Sequence, residues 1–136
     1  IELAESDSSL NNAVDWVIKA KGEEPILVYA SAPPDAVNEA QKRLGRDLAS
    51  SIVENALAKI ASAAVQNGFR RFVVAGGETA GAVVSNLGIK GIMIGEQIDP
   101  GVPTTVSIGN PSIGLVLKSG NFGSADFFEK ALKIMP

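Results

Sequence analysis

The sequence predicts an α/β domain in which helices cover a central, largely parallel or mixed sheet. Short apolar runs typical of buried strands alternate along the 136 residues with segments whose apolar residues recur at helical spacing. Glycine or proline stands at most of the junctions. The chain is 46% hydrophobic but only 5% aromatic, so small aliphatic residues must form the core, which suits helices packed on a sheet. We expect a single domain over residues 1–136.

Two elements are predicted at the start of the chain. Helical spacing over 10–18 follows the candidate caps Asp7 and Ser8 and stops near residue 22. The continuous apolar run 26–29 is typical of a buried strand.

Two helices follow. Pro34 lies near the start of a short helix that ends by Gly45. The longest helix is predicted over 47–67, because Asn67 and Gly68 make a good C-terminal stop. Its expected buried face comprises Leu48, Ile52, Ala56, Leu57, Ile60, Ala63 and Ala64.

The second half is predicted to be richer in strands. Strands are expected over 71–74, 92–94 and 113–117, with a weaker candidate at 106–108. Helices are expected over 79–87 and 125–134. The intervening segment 96–103 is interpreted as a loop that two prolines make rigid.

Absent residue types exclude several kinds of chemistry. The chain has no Cys and no His, which excludes thiol nucleophiles, disulfides, Ser–His–Asp triads and His-ligated metals within it. Net charge is −3 without a basic cluster, and no apolar run approaches the roughly 20 residues of a membrane span. We therefore expect a cytoplasmic protein with neither a nucleic acid nor a membrane as partner. The absence of a starting Met and of a signal peptide suggests a piece of something larger.

Two glycine-rich turns interrupt the packing pattern in the same way. In 73–81 and again in 116–123, an apolar strand runs into glycines and then towards a helix. Glycine permits close backbone approach, and the first N–H groups of a helix have no intrahelical partner. Together with the helix dipole, this favours a bound phosphate.

Spacing alone leaves a plainer interpretation open, in which glycine serves only the geometry of strand-to-helix turns. The dinucleotide fingerprint fails because Glu78 stands where its second glycine belongs. The phosphate-binding P-loop fails because Ala82 and Val83 follow Gly81 where Lys and Ser or Thr are required.

Polar residues in the turns have alternative roles as well. Lys118 could neutralise a phosphate. Glu78 could bind a ribose hydroxyl or a metal-bound water, or could simply be stabilised by the helix dipole. Thr79 could cap its helix. The other candidate ligand contacts in the two turns are Gly76, Gly77, Gly81, Ser119, Gly120, Asn121 and Gly123.

Other conspicuous residues are given structural roles. Asp126 is most simply an acid in the first turn of the last helix. Trp16, Phe127 and Phe128 are expected in the core rather than beneath a nucleobase.

Three ordered motifs resemble one known family, the four-carbon acid sugar kinases, also called tetronate or 3-oxo-tetronate kinases. They are Gly-Gly-Glu-Thr-Ala-Gly at 76–81, Ile-Asp-Pro-Gly-Val-Pro at 98–103, and Leu-Lys-Ser-Gly-Asn-Phe-Gly at 117–123 with Asp-Phe-Phe after it. The resemblance is strongest from 70 to 136. It implies an ATP-dependent phosphotransferase that acts on an alcohol group, and this chain looks like most of its C-terminal nucleotide-binding domain.

The resemblance also implies which residues contact the nucleotide: Gly76, Gly77, Glu78, Thr79 and Gly120. ATP and Mg²⁺ are the implied cofactors, with no protein metal ligand assigned here and the catalytic residues unknown. The sugar acid would be bound by an N-terminal domain absent from this chain. A homo-oligomer is left open.

The sequence departs from the family pattern in places. Ala80 replaces the usual Ser or Thr, Ser124-Ala125 replaces Gly-Pro, and no strand with a Ser/Gly-rich turn precedes Ile1. Two alternatives are therefore kept: a non-catalytic module that binds a nucleotide or another anion, and a purely structural α/β domain.

Overall fold

The computed structural model describes residues 7–22 and 24–136 and divides into two compact units, 1–67 and 68–136. The single domain expected from the sequence stays a prediction. The second unit contains the sheet and both glycine-rich turns.

The first unit is helical. It comprises α1 (Asp7–Lys19), α2 (Pro34–Leu44) and α3 (Arg46–Gln66), close to the predicted bounds. Pro34 occupies the first turn of α2, where its missing N–H costs nothing. Gly45 separates α2 from α3 with a φ of +81°, a conformation that a side chain would strain. Helices α1 and α2 both pack against α3.

The strand predicted at 26–29 does not form. The segment has no strand hydrogen bonding among the described residues, and Leu27 and Tyr29 are 63% and 71% exposed. An apolar run becomes a strand only where a neighbouring strand accepts its backbone bonds, and the elements described in the first unit are helices.

Two apolar residues predicted to be buried in this unit are exposed. Trp16 is 52% and Leu48 is 51% exposed. The buried residues of α3 are Ala56, Ala58, Ile60, Ala61 and Ala64. These residues cover more than one face of α3 because two helices contact it. Four of the five are alanines, whose small side chains let helix backbones approach closely.

Helix α3 is also long and apolar enough, by length and composition, to cross a membrane. Glu54 and Lys59 lie near its middle, where charges are costly in a bilayer. Its buried residues all lie between Ala56 and Ala64, and α1 and α2 pack on it.

The second unit is a four-stranded mixed sheet with two helices. Its elements are β1 (Arg71–Ala75), α4 (Gly77–Asn86), β2 (Ile92–Asp99), β3 (Val102–Ser107), β4 (Gly114–Lys118) and α5 (Phe127–Ile134). The strand order is β1-β4-β3-β2, with β1 and β4 parallel and the other pairs antiparallel. Both helices pack against the sheet, which confirms the predicted α/β class.

The predicted loop 96–103 is instead the centre of a hairpin. Strand β2 continues to Asp99, which pairs with Val102, the first residue of β3. Pro100 and Gly101 form the two-residue connection, and Gly101 has a φ of +79°, the residue order typical of a type II turn. Two shifts in register along β2 interrupt the strict alternation that would have revealed the strand in the sequence.

One apolar cluster holds this unit together. Phe127, Ala131 and Met135, from α5 and its C-terminal end, pack with Val102 and Val116 from the sheet. Phe127 is 2% exposed, as predicted, but Phe128 is 42% exposed and is not a core residue. Adjacent positions on a helix point about 100° apart, so only one of them can face the sheet.

Gly123 is fixed by the packing of this cluster. It has a φ of +91°, and a Cβ added there would lie 2.5 Å from Cδ2 of Phe127. We predict that Gly123→Ala destabilises the protein by about 2–4 kcal/mol through backbone strain and overpacking, measured by urea denaturation. Gly120→Ala is the matched control, since its Cβ meets open space; equal midpoints for the two variants would contradict this assignment.

Candidate functional site

The two glycine-rich turns lie side by side. Strands β1 and β4 are parallel neighbours, and their last residues, Ala75 and Lys118, are in register. Just beyond them, the N–H of Gly76 donates a 2.9 Å hydrogen bond to the carbonyl of Lys118. Each turn therefore begins at the carboxyl end of its strand, where open α/β sheets bind their ligands.

The first turn ends in a helix N-terminus that lacks a side-chain cap. Helix α4 begins at Gly77, two residues earlier than predicted, and Gly76 precedes it with a φ of +116°. The first bond closing the helix runs from the N–H of Ala80 to the carbonyl of Gly76 at 2.8 Å. The N–H groups of residues 77–79 precede that bond and have no intrahelical acceptor. Thr79 makes no capping bond, so its alternative role as a cap is wrong.

Three glycines have no explanation within the described fold. Every other described glycine either adopts a positive φ or would bring a Cβ within 4 Å of a neighbouring atom. Gly77, Gly81 and Gly120 do neither, and all three are exposed. Gly77 and Gly81 are one turn apart and share a face of α4, although glycine inside a helix costs about 1 kcal/mol relative to alanine. Open backbone at these positions is what close approach of a ligand requires.

Lys118 turns inward. The residue is 8% exposed, and its Nζ donates hydrogen bonds of 3.0 Å to the carbonyls of Ser119 and Gly120. The same Nζ lies 5.7 Å from the ring centroid of Phe127, within the range of a cation–π contact. Lys118 was predicted to neutralise a phosphate, and its ammonium instead bonds carbonyls of its own turn.

Asp99 ties the β2–β3 hairpin to the second turn, a role that sequence reasoning missed. Its Oδ2 accepts hydrogen bonds from the N–H and Oγ of Ser124 at 2.9 and 3.0 Å. The Oγ of Ser124 also lies 2.6 Å from Oδ1 of Asp126. Lys130 contacts both carboxylates, at 3.4 and 3.3 Å. The sequence predicted Asp126 in the first turn of the last helix, but Asp126 precedes α5 and the acid in that turn is Glu129.

A shallow, open concavity of about 400 Å³ lies between this hairpin and the second turn. It is lined by Asp99, Pro100, Asn121, Phe122, Gly123 and Ser124. Phe122 is 48% exposed and rests on the hairpin, since a Cβ at Gly101 would lie 3.2 Å from its ring. Asn121 and Gly123 therefore border the concavity, while residues 76–81 do not.

The charges of the polar network shift one another's pKa values. The hydrogen bond from the N–H of Ser124 lowers the pKa of Asp99, and the Ser124 hydroxyl likewise lowers the pKa of Asp126. The carboxylate of Asp126 raises the pKa of Lys130. All three groups are therefore held in their charged forms at neutral pH.

Metal ligands are sparse at this edge of the sheet. Across 7–22 and 24–136 no three His, Cys, Asp or Glu side chains are grouped to hold an ion. Any cation here would depend on ligand oxygens and water.

A family model described as a nucleotide-binding C-terminal domain matches residues 2–128. The chain belongs to that family. The resemblance seen in the three sequence motifs is thereby confirmed.

Among its relatives are proteins named 3-oxo-tetronate kinase. The one from Burkholderia multivorans is 55% identical over 112 residues, which cover 82% of this chain and 26% of the relative. The one from Pseudomonas fluorescens is 48% identical over 132 residues, covering 97% and 30%. The chain thus spans about a quarter to a third of the length of these relatives.

A solved structure shares the fold. A Haemophilus influenzae protein superposes with a TM-score of 0.87 at 42% identity, covering 98% of this chain and 32% of its own.

We predict that Asp99→Asn loosens the second turn, because an amide whose oxygen accepts the Ser124 bonds directs its NH2 donor at the Lys130 ammonium. Hydrogen exchange at the Ser124 N–H should then accelerate, as measured by NMR. Asp126→Asn is the control, since Asp126 contacts the Ser124 hydroxyl and Lys130 but not that N–H. Unchanged exchange in Asp99→Asn would contradict the anchoring role.

The same network predicts a pH dependence. Because its folded pKa is lowered, Asp99 stabilises the turn above the usual carboxyl pKa of about 3.9. That contribution declines as the pH falls through the lower, folded pKa. The Ser124 amide resonance should follow this acid titration, and a midpoint at or above 3.9 would show that the Ser124 bond does not favour the carboxylate.

Proposed function

We propose that this chain is the ATP-binding portion of a cytoplasmic kinase that phosphorylates four-carbon acid sugars, the tetronates or 3-oxo-tetronates. Family membership supports the nucleotide, and the printed names of the relatives support the acceptor. The observation that carries the proposal is that two glycine-rich turns begin at adjacent strand ends that are in register. The fold leaves Gly77, Gly81 and Gly120, which belong to these turns and to α4, unexplained.

In this proposal the N–H groups of residues 77–79 bind phosphate oxygens, and the positive end of the α4 dipole adds to their attraction. Gly120 closes the opposite side, on a turn that Lys118 and Asp99 hold in place. Phosphoryl transfer requires mainly such positioning and charge neutralisation. ATP would supply the phosphoryl group, with Mg²⁺ bound through its phosphate oxygens and water.

We assign the sugar acid and the base that activates its hydroxyl to the rest of the protein. The relatives that suggest this activity are about three times as long as the chain. No observation favours the alternative of a non-catalytic anion-binding module. A homo-oligomer is part of the proposal.

We predict that Gly77→Val weakens ATP binding by at least roughly tenfold, because the side chain occupies the space through which a phosphate must approach. The fold should tolerate it, since no atom lies within 4 Å of the added Cβ. Calorimetry on the full-length protein measures the affinity, and chemical denaturation measures the stability.

Gly81→Ala and Ser85→Ala separate ligand approach from helix stability. Both should leave the helix as stable or stabilise it, Gly81→Ala by about 0.5–1 kcal/mol. Only Gly81→Ala should weaken ATP binding, because Ser85 lies on the same face but one turn further from the N-terminus of α4. Unaltered ATP affinity in both Gly77→Val and Gly81→Ala would overturn the proposed cradle.

A further inference from the structure

The concavity between the β2–β3 hairpin and the second turn has no role in the phosphate contacts proposed above. It lies at the same edge of the sheet as those contacts, because β3 runs antiparallel to β4 and begins where β4 ends. Asn121, which lines it, directly follows Gly120 in the chain. Its volume of about 400 Å³ is within the range of small-molecule sites. A ligand held at Gly120 therefore has room to extend into the concavity.

Phe122 gives the concavity an aromatic wall. About half of this residue is exposed, although Phe127, five positions further on, is buried. One edge of the Phe122 ring is held by the hairpin, since a Cβ added at Gly101 would lie 3.2 and 3.5 Å from its Cε1 and Cδ1. The backbone is held as well, because the Phe122 N–H donates a 3.2 Å hydrogen bond to the Ser119 carbonyl. A fixed and open aromatic ring is suited to stacking on a planar ligand.

The charge of the lining disfavours an anion. Asp99 is the charged member of the described residues that line the concavity, and its carboxylate is paired with Lys130. The lining thus offers no unpaired cation to a phosphate or to the carboxylate of a sugar acid. Pro100 and Phe122 contribute apolar surface instead. This combination favours a neutral planar group, which is the character of a nucleobase.

Asn121 supplies a polar group that can orient such a base. Its side chain has no hydrogen-bond partner among the described residues and lies in an exposed position. A carboxamide carries a donor and an acceptor side by side, and this pair matches N7 and the 6-amino group of adenine. A base with a carbonyl at position 6 presents two acceptors to the same carboxamide and forfeits one of the bonds. The side chain therefore selects adenine.

We propose that this concavity is the adenine subsite of the nucleotide site, with Phe122 stacked on the base and Asn121 bonded to its amino edge. The inference rests on the proposed function, because the phosphates of the same ATP occupy the corner formed by residues 77–79 and Gly120. The ribose and the first phosphate then bridge the two sites along the carboxyl edge of the sheet.

Two phenylalanines of similar exposure test the stacking in the full-length protein. Phe122→Ala should weaken the binding of Mg-ATP by roughly tenfold, whereas Phe122→Trp should retain it. Phe128→Ala is the matched control, since Phe128 is 42% exposed but does not line the concavity. Calorimetry measures the affinities, and chemical denaturation verifies that each variant is folded.

Inorganic tripolyphosphate separates the base from the phosphates. Phe122→Ala should leave its affinity unchanged, whereas Gly77→Val should weaken tripolyphosphate and ATP alike. Unchanged ATP affinity in Phe122→Ala, with both ligands weakened by Gly77→Val, would overturn the adenine subsite and leave the proposed function standing. A parent protein that binds neither ligand would overturn both.

Inosine triphosphate tests the role of Asn121, because it differs from ATP by a carbonyl in place of the 6-amino group. The parent protein should bind ATP about tenfold more tightly than inosine triphosphate, and Asn121→Ala should remove most of this preference. Equal affinities in the parent protein, or a preference that survives Asn121→Ala, would overturn the contact with the amino edge.

Discussion

The parallel pairing of β1 with β4 is the constraint on which the candidate site depends. The two strands are separated by more than thirty positions along the chain, and only their register brings the turns that follow them together. The bond from the Gly76 N–H to the Lys118 carbonyl continues this pairing beyond the strands and joins one corner to the other. An error of one residue in this register would move Gly76–Thr79 relative to Ser119–Gly120 and turn every side chain of one strand to the opposite face.

Local features of the sequence were sufficient to predict the helices, the fold class and both turns. Each of these features acts on residues close to it in the sequence. Examples are the proline at the start of α2, the glycine between α2 and α3, and the helical spacing of apolar residues. The hairpin of β2 and β3 was missed because the interpretation gave weight to the prolines, whereas Pro100-Gly101 between Ile98 and Val102 was the turn signal that could have revealed it.

Features that depend on contacts between distant segments of the chain could not be predicted from local patterns. The run 26–29 has the composition of a strand, but composition does not show whether a neighbouring strand is present to accept its backbone hydrogen bonds. Trp16 and Leu48 show the same limit, because a helical stripe indicates which residues can be buried and not what covers them. The Asp99 network joins residues 25 and more positions apart, and no local pattern announces it. The glycines were predicted as a group, but only the structure separates Gly123, which packing requires, from Gly77, Gly81 and Gly120, which packing does not require.

The inward orientation of Lys118 has a consequence for how a ligand would meet this protein. The second glycine-rich turn is held by internal hydrogen bonds. The Lys118 ammonium bonds two of its carbonyls, and Asp99 of the hairpin bonds Ser124. Association then costs little loop ordering, and a larger share of each contact is realised as affinity. In the proposed function, the attraction for an anion would come from fixed backbone dipoles rather than from a mobile cation at the surface. Selectivity at this corner is therefore a matter of distance and shape, which a rigid surface discriminates more sharply than a long, flexible side chain can.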